Sequence, residues 1–270
     1  MTVWLSYTAF TLFLILVCTA LFFFTLTRGA LIFRGIMGRL QNDAAHVYPI
    51  YSYMGLIRFV DYQPLISAIL LFQYSRLVSI ITNGLTQANL RNKPVLITSC
   101  AFGNVIPRVV KAAVEGGTSQ VLIADIIQNE LDHAQTKLGK YADKTIYLQA
   151  NATAMKLQAD ASVAANVMFF LLHELPHHLK YEAIRVATRV LAPGGKLYLA
   201  EFHRPNLWVL RALSWTYFKV FEPYGLSLWD VHDPVKQLSA MKGFTCERHT
   251  VFFGNFQVIV ATKSEVTSYQ

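Results

Sequence analysis

The sequence predicts an α/β fold with a mostly parallel sheet that ends in an antiparallel hairpin, preceded by an N-terminal transmembrane helix. After Pro94, short aliphatic and β-branched runs alternate with amphipathic stretches, which is typical of βαβ units and a parallel sheet. Two neighbouring strand-like runs near the C-terminus can pair as a hairpin. Residues 3–26 carry no charge, which is typical of a membrane span.

The uncharged run is long enough to cross a bilayer, because a helix rises about 1.5 Å per residue and the hydrocarbon core is about 30 Å thick. No basic residue precedes it, which disfavours a cleaved signal peptide. Arg28, Arg34 and Arg39 follow it and predict that its C-terminal side faces the cytoplasm, at a bacterial inner membrane, or the matrix, at a mitochondrial inner membrane. We therefore expect an anchor over residues 1–27, with a buried core helix as the alternative.

Residues 28–92 predict a helical, membrane-proximal segment. Within it, residues 64–82 are apolar but interrupted by Gln73 and Arg76, which favours an amphipathic helix over a second span. This helix is expected on the membrane surface or over the active site, or alternatively in the core. The pair Asn83-Gly84 predicts its end.

Residues 93–264 predict the sheet-containing domain. Strands are expected at 94–99, 119–126, 145–150, 161–172 and 193–202, helices at 105–117, 128–141 and 180–191, and a terminal hairpin at 246–253 and 256–263. The apolar, aromatic insert 205–230 predicts a lid over a greasy substrate, with a dimer interface as the alternative. Residues 265–270 form a tail.

Four motifs stand in order along the expected strands. They are SCAFGN (99–104) after strand one, Asp125 at the end of strand two, Asn151-Ala152 after strand three and LAPGG (191–195) before strand five. Asp125 lies 22 residues after Gly103, a spacing at which a carboxylate reaches ribose hydroxyls while the loop and helix N-terminus hold the rest of a cofactor. A helix N-cap is the alternative role. Together the motifs resemble the class I S-adenosylmethionine-dependent methyltransferases, a Rossmann-like fold. The resemblance implies that this cofactor is bound by Ser99, Cys100, Ala101, Phe102, Gly103, Asp125, Ile126, Asn151 and Ala152.

The loop departs from the methyltransferase pattern. Ile97 stands where the pattern has an acid, and Ser99 and Ala101 replace two glycines. Glycine lets a backbone approach a ligand without a Cβ clash, so these changes narrow the pocket. They indicate either a non-catalytic scaffold or an altered chemistry, and the retained Asp125 argues against the scaffold.

Several further segments carry a more specific resemblance: LLFQYSRL, CAFGN, FLLHELP, and FHRP followed by EPYGLSLWD. Over residues 50–262 the chain resembles the rhodoquinone biosynthesis protein (RquA) family, relatives of the ubiquinone and menaquinone methyltransferases. The resemblance implies replacement of a ubiquinone methoxy group by an amino group, S-adenosylmethionine as amino donor, and a manganese requirement. A plain methyltransferase of a membrane quinone or lipid is the alternative.

Four polar residues are candidates for catalysis: His173, Glu174, Glu201 and His203. His173 and Glu174 follow strand four and the other two end strand five, where ligand sites of α/β folds gather. We expect His173, Glu201 and His203 to be manganese ligands, with a packed loop as the alternative for residues 173–174. The run HELPH (173–177) also matches a zinc-protease pattern, but Pro176 disfavours the helix which that site needs.

Composition favours lipid over nucleic acid as the partner. The formal charge is +8, yet no Lys/Arg run is interleaved with aromatics, and charged residues make up only 15% of the chain. Cys18, Cys100 and Cys246 are odd in number and far apart, which predicts neither a disulfide framework nor a zinc site.

Overall fold

The computed structural model describes residues 2–37, 48–90, 92–155 and 158–265. They divide into two compact units, Met1–Ile57 and Arg58–Gln270. The second unit begins at Arg58, so residues 58–90, expected as part of a membrane-proximal segment, fall in the same unit as the sheet.

The N-terminal unit is helical. It contains α1 (Thr2–Leu26), α2 (Arg28–Ile36), a 3-10 turn (Pro49–Ser52) and the start of α3 (Met54–Val60). The part of α1 from Ser6 to Leu26 is long and apolar enough to cross a membrane, a property that signal sequences share. Arg39, one of the three arginines behind the predicted orientation, lies outside the described residues.

The second unit is built on a seven-stranded sheet in the order β3-β2-β1-β4-β5-β7-β6. Its strands are β1 (Val95–Thr98), β2 (Val121–Asp125), β3 (Thr145–Gln149), β4 (Val163–Phe169), β5 (Leu191–Phe202), β6 (Phe244–Val251) and β7 (Phe256–Lys263). Strands β1 to β5 pair in parallel, whereas β7 runs antiparallel to both β5 and β6. The predicted fold class is therefore confirmed.

Helices cover both faces of this sheet. They are α4 (Gln63–Ile69), α5 (Tyr74–Gln87), α6 (Val105–Glu115), α7 (Gln128–Thr136), α8 (His177–Arg189), α9 (Trp208–Val220) and α10 (Pro234–Ala240). Successive strand residues point to opposite faces: Ile97 of β1 packs in a core with α5, α6 and α7, and its neighbour Leu96 packs in the core with α8 and α10.

The helix expected over residues 64–82 is wrong in its bounds. It breaks at Leu71 and Phe72, both with positive φ, into α4 and α5, which meet at 98°. The inner residues of α5 are fully buried, so α5 is a core helix, as the alternative had it. Gly84 does not end α5: a Cβ there would lie 2.6 Å from the Tyr198 ring, so glycine lets the helix approach β5 closely.

Two other predicted bounds also differ. Helix α7 ends at Thr136, and a 3-10 helix (Gly139–Lys144) with positive φ at Gly139 replaces its last turn. The LAPGG motif lies within β5 rather than before it. The pairing register between β4 and β5 shifts here, with Leu191 opposite Val163 and Lys196 opposite Ala165.

Candidate functional site

The loop after β1 has a positive φ at two of the three positions where the methyltransferase pattern has glycine, although only one of the three is glycine here. Ser99, in the first glycine position, has φ +77°, and Gly103 has φ +81°. A positive φ is routine for glycine and costs other residues roughly 1–2 kcal/mol. Ala101, in the second glycine position, is not among the residues with positive φ. Of the two replaced glycines, only that at position 99 therefore holds a conformation that favours glycine.

Asp125 ends β2 directly beside this loop. Its Oδ2 accepts a hydrogen bond from the Cys100 N–H at 2.6 Å, and its Oδ1 accepts one from the Ile127 N–H at 2.8 Å. Burial raises the pKa of this carboxyl, while the hydrogen bonds from Cys100 and Ile127 lower it. The Ser99 side chain and the Ile126 backbone also donate to this carboxyl, so Asp125 braces the loop through several hydrogen bonds.

The other predicted cofactor residues on β2 and β3 lie at the same edge of the sheet. Ala150 N–H donates to the Asp125 carbonyl at 2.8 Å, which sets the chain after β3 beside the end of β2. Asn151 Oδ1 accepts from the Thr153 N–H at 2.9 Å and from its hydroxyl at 2.8 Å, and so closes a local turn. Ile126 is 42% exposed and offers an apolar surface there.

Sequence reasoning missed Asp61, which lies between α3 and α4 and holds the outer side of the loop. Its carboxylate accepts a hydrogen bond from the Gly103 N–H, pairs with His133 Nε2 at 2.7 Å and with Lys137 Nζ at 3.1 Å. Lys137 Nζ also donates to the Gly103 carbonyl at 3.1 Å. A lone Asp in the apolar run RFVDYQP is the only sequence signal for this role.

Helices α4 and α5 add two more contacts to the same loop. Gln63 Oε1 accepts from the Asn104 N–H at 2.9 Å, and the Tyr74 hydroxyl donates to the Phe102 carbonyl at 3.1 Å. A Cβ on Gly103 would lie 2.5 Å from Tyr74 Oη. Glycine is therefore needed at 103 for packing as well as for its positive φ.

Glu130 is a second acid that sequence reasoning missed. It lies in the first turn of α7, on the same face as His133 and Lys137, and is only 3% exposed. Its Oε1 is buried and has no hydrogen-bond partner in the described part of the chain. Burial, reinforced by Asp125, raises its pKa to about 8. A buried carboxyl without a partner is costly unless a ligand or cation satisfies it.

Two predicted catalytic residues, His173 and Glu201, form a buried pair. His173 Nδ1 lies 3.0 Å from Glu201 Oε1, and the His173 N–H donates to Oε2 at 3.2 Å. Burial acts to lower the pKa of His173, but the adjacent Glu201 carboxylate prevails and raises it to about 9. At neutral pH the ring is an imidazolium, and its Nε2 has no hydrogen-bond partner among the residues that the structure describes.

Lys180 of α8 supports the loop that carries His173. The side chain is 1% exposed, and its ammonium donates to the Leu172 carbonyl at 2.6 Å and to the Leu175 carbonyl. Glu174 lies in this loop and is half-buried. Burial lowers the pKa of Lys180 to about 8, although Glu201 and Glu222 act to raise it.

His203, the third predicted metal ligand, has other contacts. Its Nδ1 lies 2.7 Å from the Gly254 carbonyl and its Nε2 lies 3.3 Å from Arg248 Nη1. In residues 2–37, 48–90, 92–155 and 158–265, no group of three or more His, Cys, Asp or Glu side chains is placed to hold a metal ion. The predicted set of His173, Glu201 and His203 is therefore not assembled.

The zinc-protease pattern is also not realised as a site. His173 lies in a turn and pairs with Glu201, whereas His177 begins α8 and stacks on His232 with ring centroids 5.2 Å apart. The two histidines thus do not share one face of a helix, as that mechanism requires.

Aromatic rings join the cofactor loop to the His173–Glu201 pair. Tyr74 donates a hydrogen bond to the loop, and its ring centroid lies 5.7 Å from that of Phe169. The centroid distance is 5.0 Å between Phe169 and Phe170 and 6.1 Å between Phe170 and His173. The ring of Phe202 also packs on His173, with ring centroids 5.0 Å apart. The pair is therefore set in an apolar, aromatic wall near the loop.

The insert expected as a lid supplies the outer part of this wall. The ring centroid of Phe218, on α9, lies 4.9 Å from that of Phe202 and 6.0 Å from that of Trp229. Trp229 ends the 3-10 helix Pro223–Trp229. Part of the insert 205–230 thus packs on Phe202, the ring that lies against His173. Its role as a lid stays a prediction.

These features fit S-adenosylmethionine, the cofactor that the resemblance implies. Asp125 places a carboxyl at the end of β2 for ribose, Ile126 offers an apolar surface for a base, and Glu130 offers a buried carboxyl for a cationic group. All three lie at the carboxyl edge of the parallel strands, where α/β folds bind ligands.

The chain is similar to curated quinone-biosynthesis proteins over part of its length. It is 32% identical over 129 residues to the ubiquinone/menaquinone biosynthesis C-methyltransferase UbiE of Pectobacterium carotovorum, covering 47% of this chain and 48% of that one. The protein of the same name from Shewanella oneidensis is 34% identical over 113 residues, covering 41% and 44%. The chain therefore spans about half the length of these curated relatives.

Solved structures share the fold. An O-methyltransferase family protein from Burkholderia thailandensis matches with a TM-score of 0.60 and 14% identity, over 81% of this chain and 63% of that one. A SAM-dependent methyltransferase from Aquifex aeolicus matches with a TM-score of 0.53 and 16% identity, over 78% and 98%. A model of the ubiE/COQ5 methyltransferase family matches residues 60–231, more than half of the chain. The chain belongs to the ubiE/COQ5 methyltransferase family.

Proposed function

We propose that this protein is an S-adenosylmethionine-dependent transferase that modifies the ring of a lipid-soluble quinone at a membrane. The family match and the names of the curated relatives support the cofactor and the substrate class. The observation that carries the proposal is the buried His173–Glu201 pair, which lies in an aromatic wall close to the cofactor loop. Such a wall suits a prenylated quinone, because rings pack favourably on aromatic side chains.

The finer proposal is replacement of a ubiquinone ring methoxy group by an amino group, giving rhodoquinone. The loop supports it: Ile97 removes the acid of the methyltransferase pattern from β1, and its side chain packs in the core with α5 and α6. When bound, S-adenosylmethionine would supply the amino nitrogen. Glu130 would lie near the cationic part of the cofactor, and Asp125 would hold its ribose.

His173 would act on the quinone rather than on the cofactor. As an imidazolium, it can donate from Nε2 to a quinone carbonyl oxygen, which draws electron density from the ring and favours addition at the carbon that bears methoxy. Glu201 keeps the ring of His173 charged and oriented. The new ring bond is C–N, the broken ring bond is C–O, and methoxide leaves with a proton as methanol. Release of the amino product also needs the bond between that nitrogen and the Cα of the amino donor to break. The quinone ring would accept the two electrons as this bond is oxidised, and water would complete its hydrolysis, leaving the amino-hydroquinone and a 2-oxo acid.

Methylation of a membrane quinone or lipid is the second candidate. It is favoured by the curated relatives, which are named C-methyltransferases. The manganese requirement implied by the resemblance stays a prediction, since no ligand group was found among the described residues. A location at the bacterial or mitochondrial inner membrane, with residues 58–270 on the cytoplasmic or matrix side, is part of the proposal. It is supported by the apolar stretch Ser6–Leu26 and by Arg28 and Arg34 after it.

One experiment separates the two candidates. Membranes from a ubiquinone-producing host that expresses the chain are incubated with S-adenosylmethionine carrying ¹⁵N in its amino group, and the quinones are analysed by mass spectrometry. A lighter, ¹⁵N-labelled product is expected, whereas a heavier, unlabelled product would establish methylation instead. No quinone product would overturn both.

A variant connects the product to the site. His173→Asn should lower the rate about 100-fold or more, as expected for loss of a general acid. His178→Asn is the matched control, because His178 is exposed on the first turn of α8. Equal rates for the two variants would remove His173 from the mechanism.

A further inference from the structure

Helix α9 exposes an unusual amount of apolar surface. Trp208 is 73% exposed, Leu213 63%, Trp215 49%, Val220 47% and Val209 41%. Val209, Leu213 and Val220 recur at helical spacings, as do Trp208 and Trp215, so they form neighbouring stripes. Contiguous apolar surfaces of this kind on a folded unit mark an interaction site.

The turn between β6 and β7 extends this surface. The Asn206 N–H, just before α9, donates to the Phe253 carbonyl at 2.8 Å, so the turn lies against the start of the helix. Phe253 itself is 64% exposed. We call these residues the α9 face: Trp208, Val209, Leu213, Trp215, Val220 and Phe253.

The charges around the α9 face are mostly positive. Residues 203–222 contain Arg204, Arg211 and Lys219 against a single acid, Glu222. Lys219 Nζ lies 5.4 Å from the Trp215 ring centroid, and Arg211 bonds the Pro205 carbonyl at 3.0 Å. Tryptophans beside Lys and Arg are the composition of a membrane interface, where rings lie at headgroup depth and cations meet anionic lipid.

We infer that the α9 face is a docking surface for an anionic lipid bilayer, separate from the N-terminal helix. The positive charges complement lipid phosphates. They oppose pairing of two copies, because an isologous contact would bring Arg204, Arg211 and Lys219 of each copy together with a single acid of this segment, Glu222, to compensate. The bilayer is therefore favoured over a second copy of this chain.

The inner side of the same helix leads to the candidate site. Phe218, 1% exposed, contacts Phe202, which in turn contacts His173. A lipid-soluble substrate could then pass from the bilayer along α9 to His173 without entering water. This last step rests on the proposed function, whereas docking of the α9 face does not.

The test measures local depth in the full-length protein, so that anchoring by α1 does not mask the result. Leu213→Cys and Phe253→Cys are each labelled with an environment-sensitive fluorophore in a Cys18→Ser/Cys246→Ser background, and the protein is reconstituted in vesicles of phosphatidylcholine and phosphatidylglycerol. Ile146→Cys on β3 is the matched control, since Ile146 is 40% exposed at the opposite edge of the sheet. Spin-labelled lipids report depth, and aqueous iodide reports exposure to water.

We expect lipid quenching to be several-fold stronger at Leu213 and Phe253 than at Ile146, and iodide quenching to be weaker. Omitting phosphatidylglycerol, or adding 1 M salt, where the Debye length is about 3 Å, should reduce the difference. Adding Leu213→Glu should return the Phe253 label to water. Equal iodide access at all three positions would overturn docking. Protection that persists without lipid quenching, with cross-linking between labelled copies, would assign the face to an interface between copies instead.

The outcome is independent of the chemistry at His173. Depth of the α9 face can be measured whether the quinone product is aminated, methylated or absent. A correctly docked face with no quinone product would contradict only the proposed function.

Discussion

Glu201 and His173 hold each other in a fixed orientation at the ends of β5 and β4. The fully buried Glu201 carboxylate accepts from the main-chain N–H of His173 at 3.2 Å and lies 3.0 Å from its Nδ1. Oε2 of Glu201 therefore positions the backbone of the loop, and Oε1 positions the imidazole ring of His173. Within the described part of the chain, Nε2 of the charged imidazolium then has no hydrogen-bond partner.

Activity should depend on the protonation of His173. Because its pKa is raised to about 9, against an ordinary value of 6.5, the imidazolium persists at neutral pH, and kcat/KM should fall as pH rises through about 9. The contribution of the pair to the free energy of unfolding has the same pH dependence. It is fully present below pH 6.5 and is lost as pH rises through about 9.

The matched variant is Glu201→Gln. Without the carboxylate, burial of His173 is opposed only by Glu174 and Glu222, so its pKa should drop and the alkaline limb of the rate profile should move to lower pH. Glu182→Gln, which removes an exposed acid that pairs with Arg185, should leave the limb in place. An alkaline limb that stays at the same pH in Glu201→Gln would show that another group titrates.

At positions 99 and 101, where the loop lacks the glycines of the pattern, replacing alanine by glycine should change the free energy of unfolding in opposite directions. Ser99 has a positive φ, and its hydroxyl bonds Asp125. Ser99→Gly and Ser99→Ala both lose that bond, but only glycine relieves the backbone, so Ser99→Gly should be the more stable of the two by up to about 1 kcal/mol. Ala101→Gly should instead destabilise by roughly 0.5–1 kcal/mol. Urea unfolding measures both differences, and the same sign at the two positions would contradict the backbone assignment.

Asp125 should contribute to cofactor binding beyond its role in the loop. Hydrogen bonds to a charged group contribute about 1.5–3 kcal/mol, so Asp125→Asn should weaken binding of S-adenosylhomocysteine roughly 10- to 100-fold by calorimetry. Asp132→Asn is the control, because Asp132 is exposed and bonds only the Gln128 amide at 2.7 Å. Unchanged affinity together with lower stability would restrict Asp125 to bracing the Cys100 and Ile127 amides.

Much of the sheet could be predicted, because its strands are short aliphatic runs and parallel strands end at one edge. That rule alone places Asp125, His173 and Glu201 near one another. It could not predict the contacts of Asp61, whose partners His133 and Gly103 lie 72 and 42 residues away and belong to no shared motif. Such pairs are fixed by tertiary packing of α4 onto the loop.

The break between α4 and α5 was also beyond sequence reasoning. Leu71 and Phe72 form the break, and both have a positive φ, which is unfavourable for these residue types. The sequence has no glycine there that would indicate such a turn. The predicted metal set failed for a related reason: His203 follows Glu201 on the strand, but Gly254 and Arg248 of the neighbouring hairpin take up its two ring nitrogens.

The last prediction concerns Glu130, whose buried Oε1 lacks a partner among the described residues. Its pKa is raised from 4.5 to about 8, first by burial and then by Asp125. Between these values the folded protein keeps a proton that the unfolded chain releases, so Glu130 should lower stability as pH rises from 4.5 through 8. Glu130→Gln stays neutral, and its free energy of unfolding relative to the parent should therefore improve over that range.

Urea unfolding at several pH values between 5 and 8 measures this change, with about 1.4 kcal/mol per pKa unit as the ceiling. Glu115→Gln should show no such trend, because Glu115 is exposed on α6 and pairs with Lys111 at 3.8 Å. A cationic ligand beside Glu130 would favour its charged form, so binding of S-adenosylmethionine at pH 7 should release a proton from the parent but not from Glu130→Gln. Calorimetry in two buffers of different ionisation enthalpy detects this. A pH-independent difference in stability, with equal proton release in both proteins, would show that Glu130 is an ordinary buried carboxyl remote from the cofactor.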